Sequence, residues 1–303
     1  MTICRGLQKR IDHNDYNRLI VPMQKLSNCI LCNASKFRII HQKDRWKYCR
    51  CLNCGLVSLH PRAIAQELIK NYEDYLPVHS EEIDKWKKMM NPIVNKSADL
   101  IESKINTGMG RLLDVGCAYG FFLHEMKSRG WQVEGVEISG TGRQYSQDKC
   151  GVHVYSQPLE YLDIPENSFD VVTMFYLIEH VNNPLVLLRE VNRILKPGGL
   201  ILLRWPHTTP IVRILGPLSR KLDIYHTPYH LYDFSPETMK ILLSITDFKN
   251  VETIIGGYTI PDRRMYRWAS MIFGGLGEAL YFLSGKNILL PGVSKTTLAF
   301  KVD

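Results

Sequence analysis

The stretch Arg111-Leu112-Leu113-Asp114-Val115-Gly116-Cys117-Ala118-Tyr119-Gly120 decides the fold. An aliphatic run ends in an acid and then a glycine-spaced turn, and Phe121 to Arg129 continues with helical periodicity. A buried strand, a tight loop and a helix start, in that order, bring backbone N–H groups close to a ligand at the carboxyl edge of a parallel sheet. Strand patterns recur at Gln132–Ile138, Val152–Tyr155, Phe169–Tyr176 and Leu200–Trp205, with helical patterns at Phe121–Arg129, Gly142–Lys149 and Asn183–Leu195. Alternation at this spacing predicts a parallel, doubly wound α/β sheet. Phe248–Tyr258 and Thr296–Val302 are two further strand-like segments.

The loop alone does not choose a cofactor; its neighbours do. Glu137 ends the second strand about 20 residues later, where an acid accepts hydrogen bonds from both hydroxyls of a ribose. A dinucleotide site requires G-x-G-x-x-G, whereas this chain has Gly116-Cys117-Ala118-Tyr119-Gly120 with Asp114 just ahead. An acid there repels a diphosphate and orients a cationic amino-acid end, which favours S-adenosylmethionine over NAD.

With Ser168-Phe169-Asp170-Val171-Val172, Ile178-Glu179-His180-Val181 and Leu195-Lys196-Pro197-Gly198-Gly199, the chain resembles the class I S-adenosylmethionine-dependent methyltransferases over roughly residues 60–303. The Glu-His-Val element is similar to that of ubiquinone-type O-methyltransferases and sugar C-methyltransferases, some of which carry an N-terminal four-cysteine ribbon. The resemblance implies a Rossmann-like sheet of seven strands with the last antiparallel. It implies cofactor contacts at Asp114, Gly116, Ala118, Gly120, Glu137, Ile138, Leu159 and Tyr176. Two positions depart from the family pattern. Ala118 replaces the middle glycine, and Pro158 stands where an adenine-binding acid is often found, which leaves backbone or Gln157 for that contact.

Cys29-x-x-Cys32 and Cys51-x-x-Cys54 are separated by 18 residues, the two-knuckle spacing of a four-thiolate zinc site. Each C-x-x-C turn puts two sulfurs on one side, and two turns complete a tetrahedron. Cys49 is a competing ligand to Cys51, which is favoured because it completes the second pair. A closed four-cysteine site leaves no open position, so this zinc is expected to be structural. Phe37, Ile39, Trp46 and Tyr48 supply hairpin strands between the knuckles.

Residues 1–60 are therefore read as a zinc ribbon with an N-terminal tail, 61–107 as a helical linker and cap, and 108–303 as the cofactor-binding domain, with insertions at 207–235 and 261–292. In the linker, Pro61 to Tyr75 reads as a short helix, and Glu81–Met90 and Ile93–Ile105 as two helices broken at Asn91-Pro92. The whole +8 net charge falls in the first 60 residues. Such a surface is either simply solvated or meets an acidic substrate, nucleic acid or membrane. No signal pattern opens the chain, so the cytoplasm is the expected compartment. Trp268–Ser284, preceded by Arg263, Arg264 and Arg267, is too broken to span a membrane. It is read as a core or dimer helix, or as an interfacial helix on the inner face of a membrane that reaches a lipid-linked acceptor.

Methyl transfer from a sulfonium requires in-line alignment and exclusion of water, plus a base when the acceptor carries a proton. His180 is the leading candidate base, with Glu179 orienting it or assisting a metal. His230, in the His226–Ser235 segment, is the second. The expected activity is methylation of a small acceptor: a sugar, a quinone-like ring or a lipid-linked molecule. The alternatives are an RNA methyltransferase docked by its basic ribbon, and a non-catalytic binding protein.

Overall fold

The computed structural model describes residues 23–24, 27–63, 76–105, 108–262 and 264–302. The ribbon comprises β1 (Met23–Gln24), β2 (Phe37–Lys43), β3 (Trp46–Cys51), β4 (Val57–His60) and β5 (Arg62–Ala63). β2 and β3 form an antiparallel hairpin, β3 pairs with β4, and β1 pairs with β5. The helix expected over Pro61–Tyr75 lies largely outside the described residues; its first residues carry β5 instead.

Next comes α1 (Ser80–Lys104), one continuous helix with Pro92 inside it. The expected break at Asn91-Pro92 is thus incorrect. An interior proline costs about 3 kcal/mol, but Ile93, Val94, Ala98 and Ile101 are buried immediately after it. Burying each valine or isoleucine side chain contributes roughly 1.5–3 kcal/mol, so packing outweighs the lost backbone bond. Arg129 fastens this helix by bonding Asp99 at 2.7 Å and Glu102 at 2.8 Å.

The main domain runs β6 (Arg111–Val115), α2 (Phe121–Ser128), β7 (Gln132–Val136), α3 (Gly140–Cys150), β8 (His153–Tyr155), β9 (Phe169–Phe175), α4 (Pro184–Ile194) and β10 (Leu195–Trp205). It continues through α5 (Thr209–Leu215), α6 (Leu218–Leu222), β11 (Tyr232–Asp233), α7 (Pro236–Ser244), β12 (Phe248–Ile254), α8 (Arg264–Leu283) and β13 (Lys295–Lys301). Seven strands form one sheet in the order β12-β13-β10-β9-β6-β7-β8, and β13 runs antiparallel to both neighbours. The expected methyltransferase sheet is present.

Local chemistry sets several boundaries. Asn183 caps α4, accepting from the N–H groups of Leu185 and Val186, with Pro184 just inside. Ser235 and Thr238 form a capping box on α7, with Pro236 in its first turn. At the amino edge, Asp170 accepts from the Arg111 N–H and from Lys196 Nζ, each at 2.8 Å. Two of the sequence motifs thus serve to fasten β6, β9 and β10 together, on the edge opposite the site. β11 extends the ribbon sheet by pairing with β4, so ribbon and main domain share one four-stranded sheet.

Candidate active site

The cofactor pole is built around the loop between β6 and α2. Gly116, Ala118 and Gly120 all have positive φ, at 76°, 49° and 71°. The left-handed conformation is easy for glycine and strained for alanine, so Ala118 keeps the family geometry against its own preference. A Cβ on Gly120 would lie 2.8 Å from Ser146 Oγ, and one on Gly142 would lie 2.9 Å from the Ala118 carbonyl oxygen. α3 therefore packs directly onto the loop. Glu137, just past β7, is buried; its carboxylate accepts from the Ala118 N–H at 2.8 Å and the Ser139 N–H at 2.7 Å. A carboxylate has about four acceptor directions, so these two bonds orient it and leave capacity for a ribose. Burial raises its pKa.

Asp114 is also buried and accepts from Thr173 Oγ1 at 2.7 Å; burial pushes its pKa up to about 7. The segment before α1 closes over the loop: Tyr119 donates to the Pro77 carbonyl at 2.6 Å, and Trp86 and Tyr145 stand edge-on to Tyr119. Ile138 is half-buried after β7, whereas Leu159 is packed into the main core. Glycine turns, an oriented acid and an aromatic lid suit an adenosine cofactor with a cationic amino-acid end.

A second cluster, termed the acceptor pole for the role proposed below, stands at the carboxyl ends of β9 and β10. Tyr176 follows β9 with φ 54°, a strained geometry for a tyrosine. Its Oη accepts from Arg204 Nε at 3.2 Å. Arg204 is buried, and its other bonds run to the carbonyls of Ile255, Gly256 and Gly257 and to Thr296 Oγ1. The Glu179 carbonyl accepts from the N–H groups of Leu231 and Tyr232, which draws the His226–Tyr232 segment against the Glu-His-Val turn. His180 Nδ1 lies 3.0 Å from the Tyr229 carbonyl, and the rings of His180 and His230 meet nearly perpendicular at 4.7 Å. The three candidate catalytic residues are thus brought together.

Burial controls their charge. It pushes the His180 pKa down to about 4 and the Glu179 pKa up to about 8. His230 is pushed down in the same direction, first by burial and then by repulsion from His180 and His226. Both Glu179 carboxyl oxygens are buried and take no hydrogen bond from another residue among those described. Glu179, His180 and His230 offer ligand atoms within 4.8 Å of one another, a donor set that suits a divalent cation.

In the ribbon, the sulfurs of Cys29, Cys32, Cys51 and Cys54 lie within 4.8 Å of one another, with Cys29–Cys54 at 3.5 Å and Cys32–Cys51 at 3.6 Å. A tetrahedral zinc with 2.3 Å bonds requires sulfurs about 3.8 Å apart, so this donor set fits the metal. Cys49 stands outside the set.

Sequence reading missed what holds the acceptor pole. Tyr48 Oη donates to the carbonyls of His230 at 3.0 Å and Tyr225 at 3.3 Å, and the Tyr48 ring stacks on Tyr225 at 4.0 Å. Lys43 pairs with Asp223 at 2.8 Å. Contacts across so many residues leave no local pattern. Arg204 did leave a signal, as a lone cation in the apolar run Leu200–Trp205.

A family model described as a methyltransferase domain matches residues 69–253. The chain is 25% identical over 178 residues to a ubiquinone biosynthesis O-methyltransferase of Pseudomonas syringae pv. tomato, covering 57% of this chain and 72% of that protein. A protein of the same name from Xanthomonas oryzae pv. oryzae is 30% identical over 154 residues, covering 48% of this chain and 63% of its own length. Among solved structures, phosphoethanolamine N-methyltransferase 2 of Haemonchus contortus, bound to S-adenosyl-L-methionine, superposes with a TM-score of 0.53 at 17% identity. That match covers 82% of this chain and 63% of the other and shows the shared fold. The chain belongs to this methyltransferase domain family and is an S-adenosylmethionine-dependent methyltransferase.

Proposed function

We propose that the protein methylates a hydroxyl of a small, quinone-like acceptor, with His180 as the base. The observation that carries this reading is the placement of His180, whose Nδ1 sits against the Tyr229 carbonyl and whose ring meets His230 at 4.7 Å. Burial pushes its pKa down to about 4, which favours the neutral ring. Assigning the ring proton to Nδ1 gives that carbonyl a donor and makes Nε2, which lies 4.0 Å from Glu179 Oε1, the basic nitrogen of the ring. The names of the relatives support a quinone-like ring as acceptor.

S-adenosylmethionine supplies an electrophilic methyl group on a sulfonium with a neutral leaving group. The chain's own residues supply the rest. Asp114, Glu137 and the loop Gly116–Gly120 would hold the cofactor, Glu137 taking its ribose and Asp114 its cationic amino-acid end. His180 Nε2 would take the proton of the acceptor hydroxyl, while the bound cofactor would supply the methyl group and leave as a neutral thioether. Tyr176, fixed by Arg204, is kept as a cofactor contact, and His230 stands against His180 on the acceptor side. Cys29, Cys32, Cys51 and Cys54 hold a structural zinc that keeps the ribbon folded against the acceptor pole.

Purified protein given methyl-labelled S-adenosylmethionine should transfer label to catechol or hydroxyquinol acceptors. Label entering RNA instead would overturn the acceptor class. Metal analysis should find one zinc per chain, lost in Cys51→Ser; a zinc-free protein of unchanged stability would remove the metal from the account.

A further inference from the structure

α8 has two unlike sides. Gly274, Gly277 and Tyr281 are buried against the protein, and Glu278 is paired with Lys96. The opposite side carries Trp268, Ile272, Leu276 and Leu283, spaced by four, four and seven residues, which aligns them in one helical stripe. All four are exposed, Trp268 to 65% and Leu283 to 85%. The α5–α6 segment adds Ile214, 82% exposed, and Leu218, 51% exposed. The two regions adjoin through the loop after α8. Gly277 sits against Leu290 and Val293, and a Cβ on Gly292 would lie 2.5 Å from Ile211. Most of the large apolar side chains exposed among the described residues gather here. Apolar surface on this scale marks an interaction site.

The rim of this face identifies its occupant. Arg213, Arg264, Arg267 and Lys286 are exposed around it, while the acid beside it, Asp262, is paired with Arg267 at 3.7 Å. An apolar stripe rimmed by cations matches a bilayer whose headgroups are anionic and whose acyl boundary takes apolar side chains. No helix among the described residues is long and apolar enough to cross a membrane, so α8 would lie in the plane of the surface. We propose that α8 and the α5–α6 segment form one docking face for an anionic lipid bilayer. Both border the acceptor pole: α5 and α6 join β10 to the His226–His230 segment, and α8 leads into β13 beside Trp205. On the function proposed above, which this last step rests on, the face presents the site to an acceptor dissolved in the membrane.

Flotation of the whole protein tests the proposal, with vesicles of phosphatidylcholine alone and of phosphatidylcholine mixed with phosphatidylglycerol. The protein should float with the mixed vesicles and bind neutral ones, or mixed ones at high salt, at least about tenfold more weakly. The double variant Ile272→Glu and Leu276→Glu should weaken binding by about tenfold or more while binding S-adenosylhomocysteine normally, which verifies its fold. Trp268→Phe should remove the blue shift in fluorescence on vesicle addition. Absence of flotation, flotation unaffected by the double variant, or loss only of a concentration-dependent dimer in that variant would each overturn the proposal. Flotation without transfer to any small acceptor leaves the docking face standing and rejects the acceptor reading alone.

Discussion

Two buried glutamates distinguish the two poles of the site. Glu137 has both carboxylate oxygens engaged by backbone N–H groups, from Ala118 and Ser139. Glu179 is equally buried, yet both its oxygens lack a bond from another residue among those described, and two neutral imidazoles stand beside it. A buried polar group without a partner costs roughly 1–3 kcal/mol. Glu137 is therefore held by the chain itself, whereas Glu179 keeps unmet polar capacity, the difference expected if the first pole is preformed for its ligand and the second completed by it.

Damage to the satisfied pole should have the largest effect. Gly120→Val forces a side chain into left-handed backbone and against Ser146. S-adenosylhomocysteine binding should fall by about 100-fold or more, read by calorimetry; near-normal affinity would show that the loop does not form the cofactor site. His180→Gln should instead leave that affinity within about twofold and lower the rate of methyl transfer by about 10²–10⁴-fold. Equal losses in binding and rate would erase the distinction between the poles.

Tyr48→Phe removes the hydroxyl that binds the carbonyls of His230 and Tyr225. It should lower the rate about tenfold with cofactor affinity unchanged, a result that would make the ribbon part of the acceptor pole. An unchanged rate would leave the ribbon a separate module.

The smallest effect concerns stability. Burial raises the Glu179 pKa from 4.5 to about 8. A raised folded pKa contributes stability that is fully present below the unfolded value and lost as pH rises through the folded one. Glu179→Gln, which cannot ionise, should therefore gain in Tm relative to the parent between pH 4.5 and about 8, and show no gain at pH 4. A gain independent of pH would mean that Glu179 is not held neutral by burial.

The same contrast explains what the sequence disclosed. The candidate cofactor site is local: a strand, a glycine turn and an acid at the end of the next strand fall within residues 111–137 and obey short-range rules. The cysteine knuckles are legible for the same reason, since C-x-x-C spacing itself brings the sulfurs together. The acceptor pole is assembled from Tyr48, His180, Arg204 and His230, which meet only through the fold. Their residue types hinted at chemistry, but the Tyr48–His230 bond spans 182 positions and no pattern encodes it. Pro92 shows the other limit, because a local breaker signal yields where enough apolar surface is buried beyond it.

The central claim is that a neutral His180, its side chain 13% exposed, accepts the proton. The pH dependence of single-turnover methyl transfer, with cofactor binding measured at each pH, tests it most directly. The account predicts a rate that persists well below pH 6.5 and declines only toward the depressed His180 pKa of about 4, with His180→Gln slow throughout. A decline centred near 6.5, or a His180→Gln variant with the same rate and profile as the parent, would contradict it.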